Sequence, residues 1–291
     1  MIRPRRSVLY MPGSNARAIE KARALPVDGI VLDLEDAVAL EAKDAARRQV
    51  VAAIKAGGFG SREVVMRTNA PDTPWFADDI AAAAAAAPDA ILVPKVSTPD
   101  DIDRIARLMI EAKADLDIRV WVMIETPLAV LNAAALAARA RDGAARLAAF
   151  VIGPNDLAKE TRARLVPGRA PMLTWLSACV LAAHAYGLDI LDGVYNNLSD
   201  ADGFRAECQQ GRDLGFDGKT LIHPSQVDIC NAVFSPDAEE VAEARKILAA
   251  FDRPENHGRG VIALDGRMVE RMHADMARRT VAIADAIGLE A

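Results

Sequence analysis

The chain has 291 residues, 52% of them hydrophobic, enough to bury a large core and close to the size at which α/β barrels form one domain. With 35 basic against 41 acidic residues, a net charge of −6 and no basic run, it offers no positively charged groove for nucleic acid. Three cysteines, Cys179, Cys208 and Cys230, are odd in number and lack CxxC spacing, so they indicate neither a zinc knuckle nor a disulfide framework and suit a reducing cytoplasm.

Short runs rich in Val, Ile and Leu alternate with amphipathic stretches. Strands are predicted at residues 7–11, 29–34, 63–67, 90–93, 119–124, 148–152, 188–191 and 219–222. Helices are predicted at 15–25, 41–56, 74–87, 99–114, 127–139, 172–186 and 199–214. The alanine run from Ala81 reads as packed helix, since Ala is the best helix former. Strand and helix alternating eight times predict a (β/α)8 TIM barrel over residues 1–234. A doubly wound open sheet is the competing architecture, but no GxGxxG follows the first strand. Residues 235–291 read differently: a helix at 238–252, a polar loop at 253–260, a strand-like 261–264 and a last helix at 268–287. In that helix Val269, Met272, Met276, Val281 and Ile287 recur at near-helical spacing, so it is expected to bury a face on its own barrel or on a neighbouring subunit. The arginine-rich amino terminus is followed by only a short apolar run, and no uncharged stretch of about 18 residues follows. Neither export nor a membrane span is expected.

Barrels of this kind collect reactive groups at the carboxyl ends of their strands. Glu35 and Asp36 follow the second strand, Arg67 and Asn69 close the third, Lys95 follows the fourth, and His223 follows the eighth. Val120-Trp-Val-Met-Ile-Glu-Thr-Pro delivers Glu125 to the end of the fifth, and Ala148-Ala-Phe-Val-Ile-Gly-Pro-Asn-Asp delivers Asp156 to the end of the sixth. Two carboxylates at one opening, without His or Cys at ligand spacing, suit a hard cation that keeps waters for substrate to replace, Mg2+ over Zn2+. Arg67 is placed to face the carboxylate or developing oxyanion of a bound acid. Each group also has a plain structural reading. The acids are then strand-end partners of Arg or Lys, Arg67 a partner of Glu35 or Asp36, and His223 a turn residue. Glu35 and Asp36 are assigned to a supporting role around Arg67, Lys95 and metal-bound water. His184, His257 and His273 receive no role.

Arg6-Ser-Val-Leu-Tyr-Met-Pro-Gly-Ser, Val31-Leu-Asp-Leu-Glu-Asp-Ala-Val, Met66-Arg67, Glu125-Thr-Pro, Gly153-Pro-Asn-Asp156 and Gly218-Lys-Thr-Leu-Ile-His-Pro-Ser-Gln stand in register across most of the chain. Together they resemble the citrate lyase beta subunit branch of the HpcH/HpaI aldolase family, which includes malyl-CoA and citramalyl-CoA lyases. The resemblance implies a (β/α)8 barrel and Mg2+-dependent, reversible carbon–carbon cleavage of a short 3-hydroxy-diacid thioester to a 2-oxo acid and an acyl thioester. It also implies that Glu125 and Asp156 bind the metal and that Arg67 binds the oxo-acid fragment. Tyr10 and Lys21 fall where these lyases contact coenzyme A, and Ile222 and His223 fall where the last strand lines the cleft. Asn15 stands where some relatives carry Arg. Ala263-Leu-Asp265-Gly matches the carboxyl-terminal arm from which, in those lyases, an Asp of a neighbouring subunit protonates the departing enolate. Asp265 is therefore the candidate acid/base of a homo-oligomer, trimer or hexamer.

Three alternatives share the fold: a metal-dependent aldolase for free 2-oxo-4-hydroxy acids, a subunit of a citrate lyase-like complex served by a carrier-protein thioester, and a thioesterase that admits water to the thioester carbonyl. The first usually needs a His base near the cleft, and the sequence offers no obvious one.

Overall fold

Eight parallel strands close a barrel in chain order: β1 (Ser7–Pro12), β2 (Gly29–Asp33), β3 (Glu63–Arg67), β4 (Ala90–Val93), β5 (Arg119–Ile124), β6 (Leu147–Ile152), β7 (Asp189–Asp192) and β8 (Gly218–Leu221). β8 pairs back onto β1, so no edge is left open. The structure, a computed structural model, describes residues 3–289. Around the barrel run α1 (Ala16–Ala22), α2 (Lys43–Ala56), α3 (Phe76–Ala86), α4 (Pro99–Glu111), α5 (Pro127–Leu131), α6 (Ala133–Ala137), α7 (Pro154–Thr161), α8 (Leu173–Ala185), α9 (Ala201–Leu214) and α10 (Val227–Phe234). This is the (β/α)8 architecture that the alternation predicts. Among the described residues, no helix is long and apolar enough to cross a membrane.

The two-residue period of a strand decides what reaches the barrel mouth. Val8, Val31, Val65, Trp121, Val151 and Leu191 are buried together in one core cluster. One step of two further along their strands lie Tyr10, Asp33, Arg67, Met123 and Gly153, all lining the cavity described below. At the amino-terminal ends of the strands an ion cluster takes the place of the apolar core. Arg5 donates to both oxygens of Glu63 at 2.7 and 2.8 Å and to Asp189, and its guanidinium lies 4.9 Å from the Trp121 ring. Gly218 is required here, because a Cβ at that position would stand 1.8 Å from the Arg5 carbonyl oxygen.

The stretch at 127–139 is not one helix. Asn132 leaves helical geometry and its side-chain amide donates to the Ser97 carbonyl at 2.9 Å, dividing α5 from α6. The break is one of dihedral angle, since the Asn132 backbone amide still donates to the Leu128 carbonyl and its carbonyl accepts from the Leu136 amide, each at 2.9 Å. α7 and α10 are additional to the helices predicted.

The chain from Arg5 to Asn231 forms one compact unit, and residues from Ala232 onward form a second. The second contains α11 (Ala238–Phe251), the antiparallel pair β9 (Val261–Leu264) and β10 (Arg267–Glu270), and α12 (Arg271–Ala286). Two expectations are corrected here. Residues Met268 and Val269 belong to a hairpin strand, so the last helix starts at Arg271, and Val269 is buried with Phe251 and Ile262. The face of α12 that packs within the unit is Ala274, Ala277 and Ala284, while Met272 and Met276 are 56% and 62% exposed. Small side chains let α12 approach α11 closely, and long ones are turned away.

Candidate active site

A cavity of about 310 Å3 opens at the carboxyl ends of the strands. Arg67, Glu125 and Asp156 line it, as do Tyr10, Asp36 and Ile222. Glu35, Lys21 and His223 do not. Lys21 is exposed on α1, and His223 is exposed with its Nδ1 accepting from the Ser225 amide at 3.1 Å as the cap of the turn at Pro224–Gln226. Asp265 lies in the second unit, in the left-handed turn between β9 and β10, half-exposed and paired with Lys246.

Arg67 owes its orientation to a residue that sequence reasoning passed over. Asp33 and Arg67 are register partners at the ends of β2 and β3, and Arg67 donates through Nε and Nη2 to the two oxygens of Asp33, both at 2.7 Å. The guanidinium therefore spends one edge on the protein. Its Nη1 stands 3.7 Å from Met123 Sδ and 2.8 Å from Glu35 Oε2, the latter without hydrogen-bond alignment. The Tyr10 ring lies against the guanidinium at 4.8 Å. Burial would raise the Asp33 carboxyl, but Arg67 and the backbone amides of Glu35 and Ala37 outweigh it and hold it below the usual carboxylate range. Glu35 comes out the other way. Burial pushes it up to about 8; Arg67 pulls the other way but is outweighed by burial together with the neighbouring acids Glu125, Asp36 and Asp33. Asp36 stays exposed, 3.9 Å from Arg67. Lys43, not Lys95, ties the segment down, its ammonium donating to the carbonyls of Leu34 and Glu35 at 2.8 and 2.7 Å.

Glu125 and Asp156 reach one place from two strands. Lys95 Nζ stands 2.6 Å from Asp156 Oδ1 and 3.5 Å from Glu125 Oε1. The Lys95 backbone, left-handed at φ 56°, aims its amide at Glu125 Oε1 at 2.8 Å. Glu125 is 1% exposed, and burial raises its pKa, with the Lys95 ammonium and amide offsetting only part of that. A Cβ on Gly153 would meet Glu125 Cβ and Oε2, each at 2.5 Å, so only glycine leaves room for this carboxylate. Asp156 sits in the first turn of α7, after Gly153 and Pro154, where helix amides favour an anion.

The Lys95 contacts fall on one oxygen of each carboxylate, Glu125 Oε1 and Asp156 Oδ1. The donors are hard and anionic, and no group of three or more His, Cys, Asp or Glu residues is placed to hold a metal ion among the described residues. Such a pair fits a cation that keeps most of its waters, as Mg2+ does, and does not fit a closed zinc site. The Tyr10 hydroxyl is buried without a partner, which leaves a donor for a substrate oxygen. Asn196 Nδ2 donates to Asn155 Oδ1 at 2.7 Å, joining the loop after β7 to the first turn of α7. A second buried network, Lys219 with Asp192 and Glu207 at 2.8 Å each and Arg169 with Asp192 at 2.7 Å, secures β7 and β8 from behind. The hydroxyl of Thr220, which lines the cavity, donates to the Asp192 carbonyl at 3.1 Å.

The chain is similar to known proteins along nearly its whole length. The chain is 49% identical over 284 residues to a (3S)-malyl-CoA thioesterase of Cereibacter sphaeroides (strain ATCC 17025 / ATH 2.4.3), covering 98% of this chain and 96% of the relative. It is 33% identical over 289 residues to citrate lyase subunit beta of Leuconostoc mesenteroides subsp. cremoris, covering 98% and 94%. CitE of Mycobacterium tuberculosis, solved with magnesium, acetoacetate and coenzyme A, superposes with a TM-score of 0.71 at 28% identity over 95% of this chain and 97% of that one. The citrate lyase beta subunit of M. tuberculosis, complexed with oxaloacetate and magnesium, gives 0.64 at 28% identity over 79% and 96%. Residues 6–224 match the HpcH/HpaI aldolase/citrate lyase family, and the chain belongs to that family.

Proposed function

We propose that this enzyme acts on a short 3-hydroxy-diacid thioester of coenzyme A, of the malyl-CoA type, in an Mg2+-dependent reaction at the mouth of the barrel. The class, an Mg2+-dependent lyase of the citrate lyase beta type, follows from family membership and from relatives solved with magnesium. The observation that carries the reading is that Glu125 and Asp156 both reach the Lys95 ammonium, in the same cavity as Arg67.

Glu125 and Asp156 would hold the ion through their carboxylate oxygens. When bound, the ion supplies positive charge that polarises the substrate's oxygens. Arg67, fixed by Asp33 and permanently charged, presents its remaining donors to the substrate carboxylate and to the 3-hydroxyl oxygen, which carries negative charge once its proton has passed to water and becomes the oxo group as the carbon–carbon bond breaks and its electron pair moves to the thioester fragment. The Tyr10 hydroxyl supplies one more donor. On the other side of that bond a carbanion-like thioester fragment has to gain a proton at carbon, and the carboxyl of Asp265 from a second subunit is the proposed donor. Its support is its half-exposed place at a hairpin tip. A homo-oligomer, trimer or hexamer, is part of this proposal. Lys21 and Ile222 are the proposed contacts of the thioester's coenzyme A portion and acyl chain, with His223 shaping the turn that carries Ile222.

A second outcome at the same site is hydrolysis of the thioester, favoured by the 49% identity to (3S)-malyl-CoA thioesterases along 98% of the chain. Incubating the pure protein with (3S)-malyl-CoA and Mg2+ separates the two. Glyoxylate with acetyl-CoA reports cleavage, malate with free coenzyme A reports hydrolysis, and an unconsumed substrate refutes the malyl-CoA reading.

A further inference from the structure

Lys95 is the least explained charge in the site. Two lysines of the barrel each bridge two carboxylates, and their surroundings differ. Lys219 is fully buried, 2.8 Å from both Asp192 and Glu207. It has no route to water, as a structural lysine should not. The Lys95 side chain is 30% exposed, and its bridge is lopsided, 2.6 Å to Asp156 and 3.5 Å to Glu125. Its two partners face the cavity.

An ammonium within 3.5 Å of both acids neutralises much of the charge that a divalent cation would use. A divalent ion bound to the same two carboxylates would also lie within a few ångströms of that ammonium, where like charges repel strongly in a partly buried site. The two cations cannot share the position. We propose that Lys95 is the resident counter-cation of this acidic pair: its ammonium holds Glu125 and Asp156 together while no divalent ion is bound and swings out to solvent when one enters. The inference rests on the metal reading of Glu125 and Asp156. It gives the plain salt-bridge reading and the metal reading to two states of one site. The backbone amide of Lys95, bonded to Glu125 Oε1, keeps that carboxylate in place in both states.

The test uses the wild-type chain first. Metal-free protein and protein saturated with Mg2+ are labelled by reductive methylation, and the modification rate at each lysine is read by mass spectrometry. Lys95 should become several-fold more reactive with Mg2+, while Lys219 stays unreactive in both. An unchanged Lys95 rate in protein whose melting temperature does respond to Mg2+ overturns the counter-cation role alone. A melting temperature indifferent to Mg2+ overturns the metal reading and this inference with it. Lys95→Met, which keeps the aliphatic stem and the backbone geometry, should lower the metal-free melting temperature and bind Mg2+ roughly fivefold tighter in calorimetry, the worth of one half-exposed ion pair. Equal or weaker Mg2+ affinity in a folded Lys95→Met protein contradicts the proposal.

Discussion

Replacing Gly153 by Ala adds one methyl group to the point where Glu125 is held. The added Cβ would stand 2.5 Å from both Glu125 Cβ and Oε2 and 3.3 Å from Met123 Cε, distances at which something has to move. The Gly153 backbone cannot retreat freely, because its amide donates to the Ile124 carbonyl at 3.1 Å and continues the β5–β6 ladder. The side chain that yields is therefore Glu125, pushed off its bond from the Lys95 amide. Overpacking of this kind costs about 1–3 kcal/mol, a melting temperature lower by roughly 2–5 °C in a chain of this size. A site geometry holds within about 0.5 Å, so Mg2+ affinity should fall at least about tenfold, well beyond what the loss of stability explains. Scanning calorimetry and Mg2+ titration calorimetry read the two effects separately. A Gly153→Ala protein with wild-type Mg2+ affinity would refute the argument that glycine is there to seat the carboxylate.

Asp33→Ala leaves the Arg67 guanidinium buried without its bidentate partner and should cost about 3–5 kcal/mol in chemical denaturation; a loss under about 1 kcal/mol would show that Glu35 can replace Asp33. Glu35 carries a pH signature. Its carboxyl is near 4.5 when unfolded and about 8 when folded, so between those values the folded state keeps a proton that the unfolded state has lost. Stability contributed by this group therefore falls as pH rises from about 4.5 to 8, by up to about 1.4 kcal/mol per unit. Glu35→Gln should flatten that decline in melts across the window, and an unaltered pH profile would count against the buried acid. Arg67→Lys keeps the charge but cannot hold Asp33 with one edge and substrate with another, so kcat should fall about 100-fold or more with little change in Mg2+ affinity. A mixed oligomer of Asp265→Asn and Arg67→Ala should regain part of the activity that each lacks; no recovery at any mixing ratio would argue for a site complete within one chain.

The barrel was legible because each strand is an apolar run with a clear stop. Three of them, 63–67, 90–93 and 119–124, coincide with β3, β4 and β5. The strand-end rule then named Arg67, Glu125, Asp156 and Lys95 without any coordinates. Asp33 was missed by one residue of register. Counting Leu34 as strand made Glu35 the first group beyond it, whereas β2 ends at Asp33. The signal was present in Val31-Leu-Asp-Leu-Glu, where the two-residue period puts Asp33 on the same face as Val31. Lys95 was named as a strand-end residue, but its bridge to acids 30 and 61 positions away follows from barrel closure and not from local pattern. The Arg169, Asp192 and Lys219 network was invisible for the same reason. In α12 a hydrophobicity ranking pointed to methionines, while close packing against α11 chose alanines.

Glu125 and Asp156 are proposed to grip one divalent cation. Crystals grown with Mn2+ in place of Mg2+ test it most directly, since the anomalous signal of manganese marks the ion itself. A single peak about 2.1 Å from one oxygen of each residue, with Lys95 Nζ moved away, is the expected result. Manganese bound elsewhere in the barrel, or absent from it while the Lys95 bridge stays closed, would contradict the account.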